Sequence, residues 1–492
     1  MKQAVQNNPH QVHKIYQRES NHRISDITPL LKNDVTRFPL LTGERMPYIN
    51  LDNAASTTPL PAVWDAVERF LPYYSSVHRG TGFKSRVSTE IYEEAHEIIG
   101  RFVGADSDLD TVIFGQNTTD AINHLARRFT LNPDDVVLTT MMEHHSNDLP
   151  WRARATVVHV GITPEGRLDL EDFDRKLSLF GRRVKLVAVT GASNVTGFIQ
   201  PIHELAMKAH AVGAKILIDA AQLAPHCAID MRPHDDPTHL DFVVLSAHKM
   251  YAPFGTGALI GPQDFFRQSP PDKRGGGTVE LVTLEEAHWS DVPDREEAGS
   301  PNVIGAVAMA AAAQQLMEIG MERVATRERV LTAYTLQQMQ EIPGLVLYGS
   351  KFTNDRVGVI PFNLKGIPHG LVAAILGYEG GIGVRNGCFC AHPYVVQLLD
   401  LDVHEQEKWQ REILDGNKMR MPGMVRISFG RHNSFGDVER VIKMLWRIVR
   451  GEFEGHYQVD MSGSYTPVDY TEHWQNHFSF GHANCNQEEI SL

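Results

Sequence analysis

From Tyr48 onward, short β-branched runs alternate with amphipathic helical segments, and this alternation restricts the fold more than any other feature of the sequence. The pattern is expected when parallel strands are connected by helical crossovers. Residues 88–103 illustrate it, because their apolar side chains recur on one helix face at 3.6-residue spacing. The sequence therefore predicts an α/β domain over residues 46–301.

Runs and breaks in this pattern give the predicted elements of the large domain. Strands are predicted at residues 111–114, 136–140, 156–160, 184–190, 215–219, 241–246 and 257–260. Helices are predicted at residues 88–103, 118–129, 170–180 and 201–212.

After Asn302 the pattern changes to two long helices that are separated by Gly320. Further elements follow, with strands predicted at 346–348, 357–364, 383–385 and 425–429 and a last helix at 435–449. We therefore expect a smaller α+β C-terminal domain over residues 302–452. The polar residues 1–45 and 453–492 are predicted to form an N-terminal arm and a C-terminal tail.

Composition excludes several classes of protein. Of 492 residues, 42% are hydrophobic and 22% are charged, which is ordinary for a globular chain. The net charge of −13 argues against nucleic acid as the main partner. No apolar run approaches the ~20 residues that a membrane helix needs, and the N-terminus lacks the apolar core of a secretory signal. We expect a cytoplasmic protein that binds neither nucleic acid nor a membrane.

A lysine follows one predicted strand at the position where α/β folds bind ligands. Lys249 ends the sequence Ser246-Ala247-His248-Lys249, directly after the strand at 241–246. Asp219 ends the predicted strand at 215–219, and Gln222 follows it. Each has an ordinary interpretation, since a lysine is usually a surface charge and the carboxylate could cap a helix.

Two further loops add polar groups beside strand ends. The segment 115–120 joins a strand to a helix and offers backbone N–H groups with the hydroxyls of Thr118 and Thr119, which suits a phosphate, although a plain capped helix start has the same pattern. His144 follows the strand at 136–140, and a neutral imidazole there could stack on a planar ring. The four elements together are the parts that pyridoxal phosphate requires.

Ordered motifs along most of the chain carry a family resemblance. They include Leu51-Asp52-Asn53-Ala54-Ala55-Ser56, Val77-His78-Arg79-Gly80, Glu143-His144-His145, Ser193-Asn194-Val195-Thr196-Gly197 and Glu297-Ala298-Gly299-Ser300-Pro301-Asn302. The chain resembles class V aminotransferase-fold enzymes, and within them the cysteine desulfurase and selenocysteine lyase family, from about Tyr48 to Val449. The resemblance implies the pyridoxal-phosphate-dependent transferase fold type I, with a mostly parallel mixed sheet in the large domain.

The resemblance also implies roles for the residues around the cofactor. Lys249 would form the Schiff base and move the substrate proton, Asp219 would keep the pyridine nitrogen protonated, and His144 would stack on the ring. Gln222 would bind the phenolic oxygen, and Asn194 would lie beside that oxygen and the substrate. The phosphate would be held by Thr118, Thr119, Ser246 and His248, and by Ser300 of the neighbouring subunit in a homodimer.

A cysteine-containing loop decides the predicted reaction. In Arg385-Asn386-Gly387-Cys388-Phe389-Cys390-Ala391, an arginine that can clamp a carboxylate precedes two thiols. Packing or half of a metal site are the alternatives, but no other Cys or His cluster completes zinc spacing, so we predict no metal. Resemblance to the desulfurases with the shorter loop places the nucleophile at Cys390 and the clamp at Arg385, with Arg79 approaching from the other subunit.

The predicted activity is conversion of L-cysteine to L-alanine, with a persulfide on Cys390 for a protein sulfur acceptor. A selenocysteine lyase, another class V lyase, aminotransferase or epimerase, and a catalytically silent scaffold are the alternatives. Cys388 departs from the usual loop pattern and could relay the persulfide, form a reversible disulfide or share the nucleophile role. Cys485 has no motif around it.

Overall fold

The computed structural model describes residues 37–350, 352–468, 470–471 and 474–480. Most of the predicted N-terminal arm, and Cys485, lie outside the described residues. The helices are α1 (Pro61–Phe70), α2 (Phe83–Val103), α3 (Thr118–Arg128), α4 (Leu149–Arg152), α5 (Leu170–Phe180), α6 (Ile202–Ala211), α7 (Gln263–Arg267), α8 (Val303–Ile319), α9 (Met321–Gln340), α10 (His369–Gly380), α11 (His392–Leu398), α12 (Val403–Leu414) and α13 (Phe435–Val449).

The strands fall into one large sheet, one smaller sheet and several pairs. They are β1 (Arg37–Pro39), β2 (Arg45–Pro47), β3 (Ile49–Asn50), β4 (Asp110–Gly115), β5 (Val136–Thr140), β6 (Thr156–Val160), β7 (Val184–Thr190), β8 (Lys215–Asp219), β9 (Phe242–Ser246), β10 (Gly257–Pro262), β11 (Val279–Val282), β12 (Ala287–Trp289), β13 (Leu345–Leu347), β14 (Val359–Leu364), β15 (Ile382–Gly383), β16 (Arg385–Gly387), β17 (Met424–Ser428), β18 (Tyr457–Val459) and β19 (Tyr465–Pro467).

The large sheet of the described chain has the strand order β4-β10-β9-β8-β7-β5-β6. Strands β5 to β9 pair in parallel with their neighbours among them, whereas β10 runs antiparallel to both β4 and β9. Apolar clusters cover both faces, as the near-continuous hydrophobic strands of a parallel sheet require. The predicted α/β fold with a mostly parallel mixed sheet is confirmed.

The helix α2 begins at Phe83, five residues before its predicted start. Its first turns bury Ser85 and Ser88, which bond to the preceding loop: the Ser85 hydroxyl donates to Ser76 O at 2.6 Å, and Ser75 N–H donates to Ser88 Oγ at 2.9 Å. Because these buried contacts are polar, apolar periodicity cannot detect this part of the helix.

The smaller sheet is antiparallel, in the order β13-β14-β17-β16. The strand predicted at 383–385 is instead two strands: β15 pairs in parallel with β3, and β16 pairs with β17. An isolated parallel bridge between Asp52 and Ser428 continues the contact of the segment after β3 with the smaller sheet. This segment therefore lies between the two sheets, where the polar side chains described below meet.

Helix α8 packs into the core of the large sheet, although the sequence predicts that residue 302 begins the smaller domain. Its buried residues belong to the same apolar cluster as α2, whereas Leu336 and Met339 of α9 belong to the cluster of the smaller sheet. We therefore propose a domain limit near Gly320, between α8 and α9. Only together do these two helices have the length and apolar composition of a membrane span, and they are bent by 78° relative to each other; no single helix among the described residues is long and apolar enough to cross a bilayer.

Candidate active site

A cavity of about 470 Å³ lies at the carboxyl ends of the parallel strands, between the two sheets. The predicted site residues that line it are Thr118, Thr119, His144, Asn194, Asp219, Gln222, Ser246, His248, Lys249, Arg385 and Cys390. Ser300 and Arg79 are exposed and are not among the described lining residues. The fold thus brings together residues that are up to 272 positions apart, from Thr118 to Cys390.

Lys249 lies at the end of a single 3₁₀ turn, Ala247–Lys249, that follows β9 directly. Burial removes water from its ammonium group and lowers the pKa of Lys249 to about 8, while the Asp219 carboxylate acts in the opposite direction. At neutral pH an appreciable fraction of this amine is therefore neutral, which a nucleophilic or proton-transferring lysine requires.

Asp219 is the last residue of β8 and is buried. Burial raises the pKa of its carboxyl group, and the Ala221 N–H, which donates to Oδ1 at 3.0 Å, lowers it. Turns rather than an α-helix follow Asp219, so helix capping does not explain the carboxylate. A buried carboxylate is stabilised by a proton-bearing partner, and a protonated ring nitrogen would provide one.

His144 lines the cavity as a neutral imidazole. Burial and the nearby Lys249 lower its pKa to about 3, and Ser146 N–H donates to Nδ1 at 3.1 Å. Its neighbour His145 makes a different contact: the backbone N–H of His145 donates to the backbone carbonyl oxygen of Cys390 at 2.8 Å. The two adjacent histidines thus serve separate contacts, one at the cavity and one under the cysteine loop.

The loop before α3 forms a polar cup. Asn117 caps the helix by accepting the Asp120 N–H at 3.0 Å, and Thr118 N–H donates to Ser246 Oγ at 2.9 Å. Strand β10 approaches this loop so closely that a Cβ on Gly257 would lie 2.5 Å from Asn117 Cα. Only glycine fits at position 257 without moving the cup.

His248 also lines this end of the cavity, and burial lowers its pKa to about 4, so its ring is neutral. The hydroxyls of Thr119 and Ser146 share a hydrogen bond at 2.6 Å. A site of this kind binds an anion through neutral donors and a helix N-terminus rather than through a lysine or arginine.

The two cysteines of the loop lie in different surroundings. Cys388 is buried, its thiol donates to Pro422 O at 3.0 Å, and burial raises its pKa to about 12. Cys390 is exposed and lines the cavity. Phe389 and Cys390 both have left-handed backbone, with φ of 52° and 54°, which costs a non-glycine residue about 1–2 kcal/mol.

Two hydrogen bonds hold this strained backbone at the cavity. The Asn194 side chain donates to Phe389 O at 2.7 Å, and His145 N–H donates to Cys390 O at 2.8 Å. The loop is therefore bound, at its two left-handed residues, to the segments that follow strands β5 and β7.

Sequence reasoning missed two residues beside Arg385. Asp52 bridges two arginines, with Oδ2 lying 3.0 Å from Arg385 Nη2 and Oδ1 accepting from Arg426 Nη2 at 3.0 Å. Arg426 is buried, which lowers its pKa to about 10, and its guanidinium lies 4.9 Å from the Phe389 ring centroid. The signal was a lone arginine within the apolar strand Met424-Val425-Arg426-Ile427. Two cations and one anion leave one net positive charge, which suits a single carboxylate.

Comparison with known proteins assigns this arrangement to a family. The model of the family described as Aminotransferase class-V matches residues 49–441. The chain belongs to the class V aminotransferase family. A probable cysteine desulfurase from Halalkalibacterium halodurans is 33% identical over 445 residues, which cover 88% of this chain and 99% of that protein.

Solved structures of class V relatives have the same fold. The apo cysteine desulfurase from Thermococcus onnurineus is 32% identical, with a TM-score of 0.72, and the match covers 82% of this chain and 95% of that chain. The S-sulfonic acid form of an Escherichia coli cysteine desulfurase is 26% identical, with a TM-score of 0.70, covering 83% and 96%. The predicted family resemblance is confirmed.

Pyridoxal phosphate is the cofactor of this class V aminotransferase-fold protein. The cavity fits it: Gln222 Oε1 and Thr118 Oγ1 are buried and have no hydrogen-bond partner among the described residues, so each offers a polar atom to a bound group. The buried Asp219 carboxylate, the neutral His144 ring and Lys249 line the same cavity and would supply the other contacts that this cofactor requires.

The prediction that the chain binds no metal stays a prediction. Within the described ranges, the ligand atoms of His78, Glu93 and Asp294 lie within 4.8 Å of one another. Neither loop cysteine belongs to this group.

We expect covalent capture of added pyridoxal phosphate by the cofactor-free protein to accelerate with pH and to level off above about pH 8. The reason is that the pKa of Lys249 is about 8 and only its neutral amine is nucleophilic. Below about pH 7 the rate should rise about tenfold per pH unit. Stopped-flow absorbance measures the rate, and Lys249→Ala should capture none. A rate that keeps rising to about pH 10, the ordinary pKa of a lysine, would contradict the lowered pKa.

Proposed function

We propose that the chain is a cysteine desulfurase, which converts L-cysteine into L-alanine and holds the sulfur as a persulfide on Cys390. The observation that carries the proposal is the exposed thiol of Cys390 at the cavity that Lys249 and Arg385 also line. The cysteine desulfurase names of the relatives support the same activity.

The substrate carboxylate would bind at the arginines. Arg385 is half-exposed and has Asp52 as a partner, so an incoming carboxylate can share its guanidinium. Arg426 stays beneath it, bonded to Asp52 and, through Nη1, to Asn194 O at 3.0 Å. We infer that Arg385 makes the contact with substrate and that Arg426 supplies the fixed positive charge below it.

Lys249 and Asp219 would control the protons. When bound, pyridoxal phosphate supplies a ring that withdraws electrons from the substrate α-carbon. Lys249 Nζ then takes the α-proton and later returns a proton to the product. Asp219 holds the proton on the ring nitrogen, and the neutral His144 packs against the ring without adding a charge.

Cys390 would accept the sulfur. Its thiolate attacks the substrate sulfur, so an S–S bond forms, the C–S bond breaks and its electron pair stays with the carbon skeleton. A proton added at the former C–S carbon completes L-alanine, and the balance is L-cysteine plus thiol giving L-alanine plus persulfide. The buried Cys388 is protonated and directed at Pro422, which supports Cys390 as the nucleophile.

A homodimer would complete the site. Arg79 and Ser300 are exposed in the single chain, and Arg79 Nη2 donates to Val279 O, at the start of the β11–β12 hairpin, at 2.7 Å. That hairpin exposes Leu281 and Leu284, which is typical of a surface that a second protein covers. We propose that Arg79 and Ser300 act in the partner's cavity.

We further propose that the exposed Cys390 passes its sulfur to an acceptor protein in the cytoplasm.

Product analysis of the cofactor-loaded protein tests the proposal. Wild type should release L-alanine from L-cysteine, and sulfide when a reductant is present. Lys249→Ala should be inactive, and Cys390→Ala should lose about two orders of magnitude in kcat or more, because the nucleophile is absent. Cys388→Ala should stay within a few-fold of wild type.

Each failure of this assay has a distinct meaning. Loaded wild type that makes no alanine from L-cysteine would refute the desulfurase proposal and direct the search to L-selenocysteine and other amino acids. If the purified protein shows no cofactor absorbance and cannot be loaded with pyridoxal phosphate, the alternative of a catalytically silent scaffold would be favoured.

Arg385→Ala should raise KM for L-cysteine by about 10- to 100-fold, because a charge-assisted hydrogen bond contributes about 1.5–3 kcal/mol. Cysteamine, which is L-cysteine without its carboxylate, is the control ligand. Its binding, followed by cofactor absorbance, should be the same in wild type and variant. Equal losses for both ligands would mean that Arg385 supports the cavity rather than the carboxylate.

Mixed dimers test the shared site. Lys249→Ala and Arg79→Ala chains should each be impaired alone, and after mixing and exchange about a quarter or more of wild-type activity should return, since one cavity of each mixed dimer then has intact residues from both chains. Absence of recovery, with exchange verified by native mass spectrometry, would contradict action of Arg79 across the interface.

A further inference from the structure

The C-terminal hairpin β18–β19 lies beyond residues 49–441, the part of the chain that the family model matches. It nevertheless contacts a segment, residues 418–423, that precedes β17 and packs against the cysteine loop. We call residues 457–467 the hairpin and residues 418–423 the bridge segment.

The base of the hairpin is fixed to helix α10. The buried Glu379 carboxylate accepts from Glu454 N–H, Gly455 N–H and the Tyr457 hydroxyl, each at 3.0 Å. On the same helix, a Cβ on Gly370 would lie 2.9 Å from the ring of Tyr465. A buried carboxylate with three donors is costly to separate from them, so the hairpin is firmly attached.

The tip of the hairpin rests on the bridge segment. The Asp460 side chain shapes the tip by accepting Ser462 N–H at 2.9 Å, and Lys418 N–H donates to Met461 O at 2.9 Å. Gly463 has φ of +83°, and a Cβ there would lie 2.7 Å from Lys418 O. The contact is therefore between two backbones, with no space for a side chain.

The bridge segment in turn holds the cysteine loop at three points. The Cys388 thiol donates to Pro422 O at 3.0 Å, and a Cβ on Gly423 would lie 2.6 Å from Gly387 Cα. The third contact is made through His369, which lies between Met421 of the bridge segment and Asn386 of the cysteine loop. Its Nε2 lies 3.0 Å from Met421 O, and the Asn386 side-chain amide donates to its Nδ1 at 3.3 Å.

A neutral His369 suits both of these bonds. Burial lowers its pKa, so one ring nitrogen donates and the other accepts. The donor faces Met421 O and the acceptor faces the Asn386 amide, which lines the cavity.

We propose that the hairpin is a strap that positions the catalytic loop, acting through the bridge segment, with Cys388 as the anchoring thiol rather than a second nucleophile. The inference rests on the proposed role of Cys390. It explains why a cysteine stands at position 388: a small, weakly polar side chain that donates to Pro422 O fits a buried site and holds the two left-handed residues that follow.

Site-specific alkylation of the full-length, cofactor-loaded protein tests the strap. Gly463→Ala places a methyl group against Lys418 O and should lift the tip, whereas Gly366→Ala imposes the same kind of strained backbone, at φ of +80°, where a Cβ meets nothing within 4 Å. Iodoacetamide labelling is read by peptide mass spectrometry. Cys227, whose pKa burial also raises to about 12, is the internal reference.

We expect labelling of Cys388 to rise about tenfold or more in Gly463→Ala relative to Cys227, with wild-type labelling in Gly366→Ala. The kcat for L-cysteine should fall several-fold while KM and cofactor absorbance stay unchanged. Tyr465→Ala should behave like Gly463→Ala, and Tyr465→Phe should restore wild-type labelling because the ring against Gly370 is kept.

Cys388 labelling at the wild-type rate in both Gly463→Ala and Tyr465→Ala would overturn the strap. If Gly463→Ala does not fold, the Tyr465 pair decides alone. The labelling result is independent of the activity assay, so wild type that makes no alanine would refute the proposed function while the strap is still judged by Cys388 alone.

Discussion

The parallel pairing of β7, β8 and β9 is the constraint on which the site depends. Its register sets Thr190 beside Asp219 and brings Ser246, with the turn to Lys249, to the same edge of the sheet. The carboxylate and the amine are thus placed by backbone hydrogen bonds rather than by flexible loops. Burial then acts on both groups in opposite directions, raising the pKa of Asp219 and lowering that of Lys249.

The smaller sheet contributes charged side chains to the same cavity. Arg426 is buried in the strand β17, and a buried guanidinium requires a counter-charge, which Asp52 provides from the segment after β3. The same carboxylate holds Arg385 of the neighbouring strand, since β16 and β17 place the two arginines directly opposite each other. One carboxylate therefore orients the cation that faces the cavity, and the bond from Arg426 Nη1 to Asn194 O joins the smaller sheet to the segment after β7 of the large sheet.

Much of this arrangement is readable from sequence because Asp219, Lys249 and His144 lie at or within four residues of the ends of strands whose apolar runs are clear. Arg426 and Asp52 required the strand order of the smaller sheet, which periodicity does not report. The start of α2 was missed because its buried face begins with serines. The split between β15 and β16 was missed because successive residues of one short run pair with two different strands, β3 and β17. The contribution of Ser300 depends on a second chain and stays a prediction.

Two thiols on one short loop can form a disulfide. If one of them carried a persulfide, attack by the other thiolate would form that disulfide and release the outer sulfur as sulfide. Here the raised pKa of Cys388 and its hydrogen bond to Pro422 O make it a poor attacking group. If Cys390 holds the sulfur as proposed, that sulfur would thereby be preserved for an outside acceptor. Burial of one thiol of the pair thus converts a motif suited to disulfide formation into one in which only the exposed thiol is available to carry sulfur.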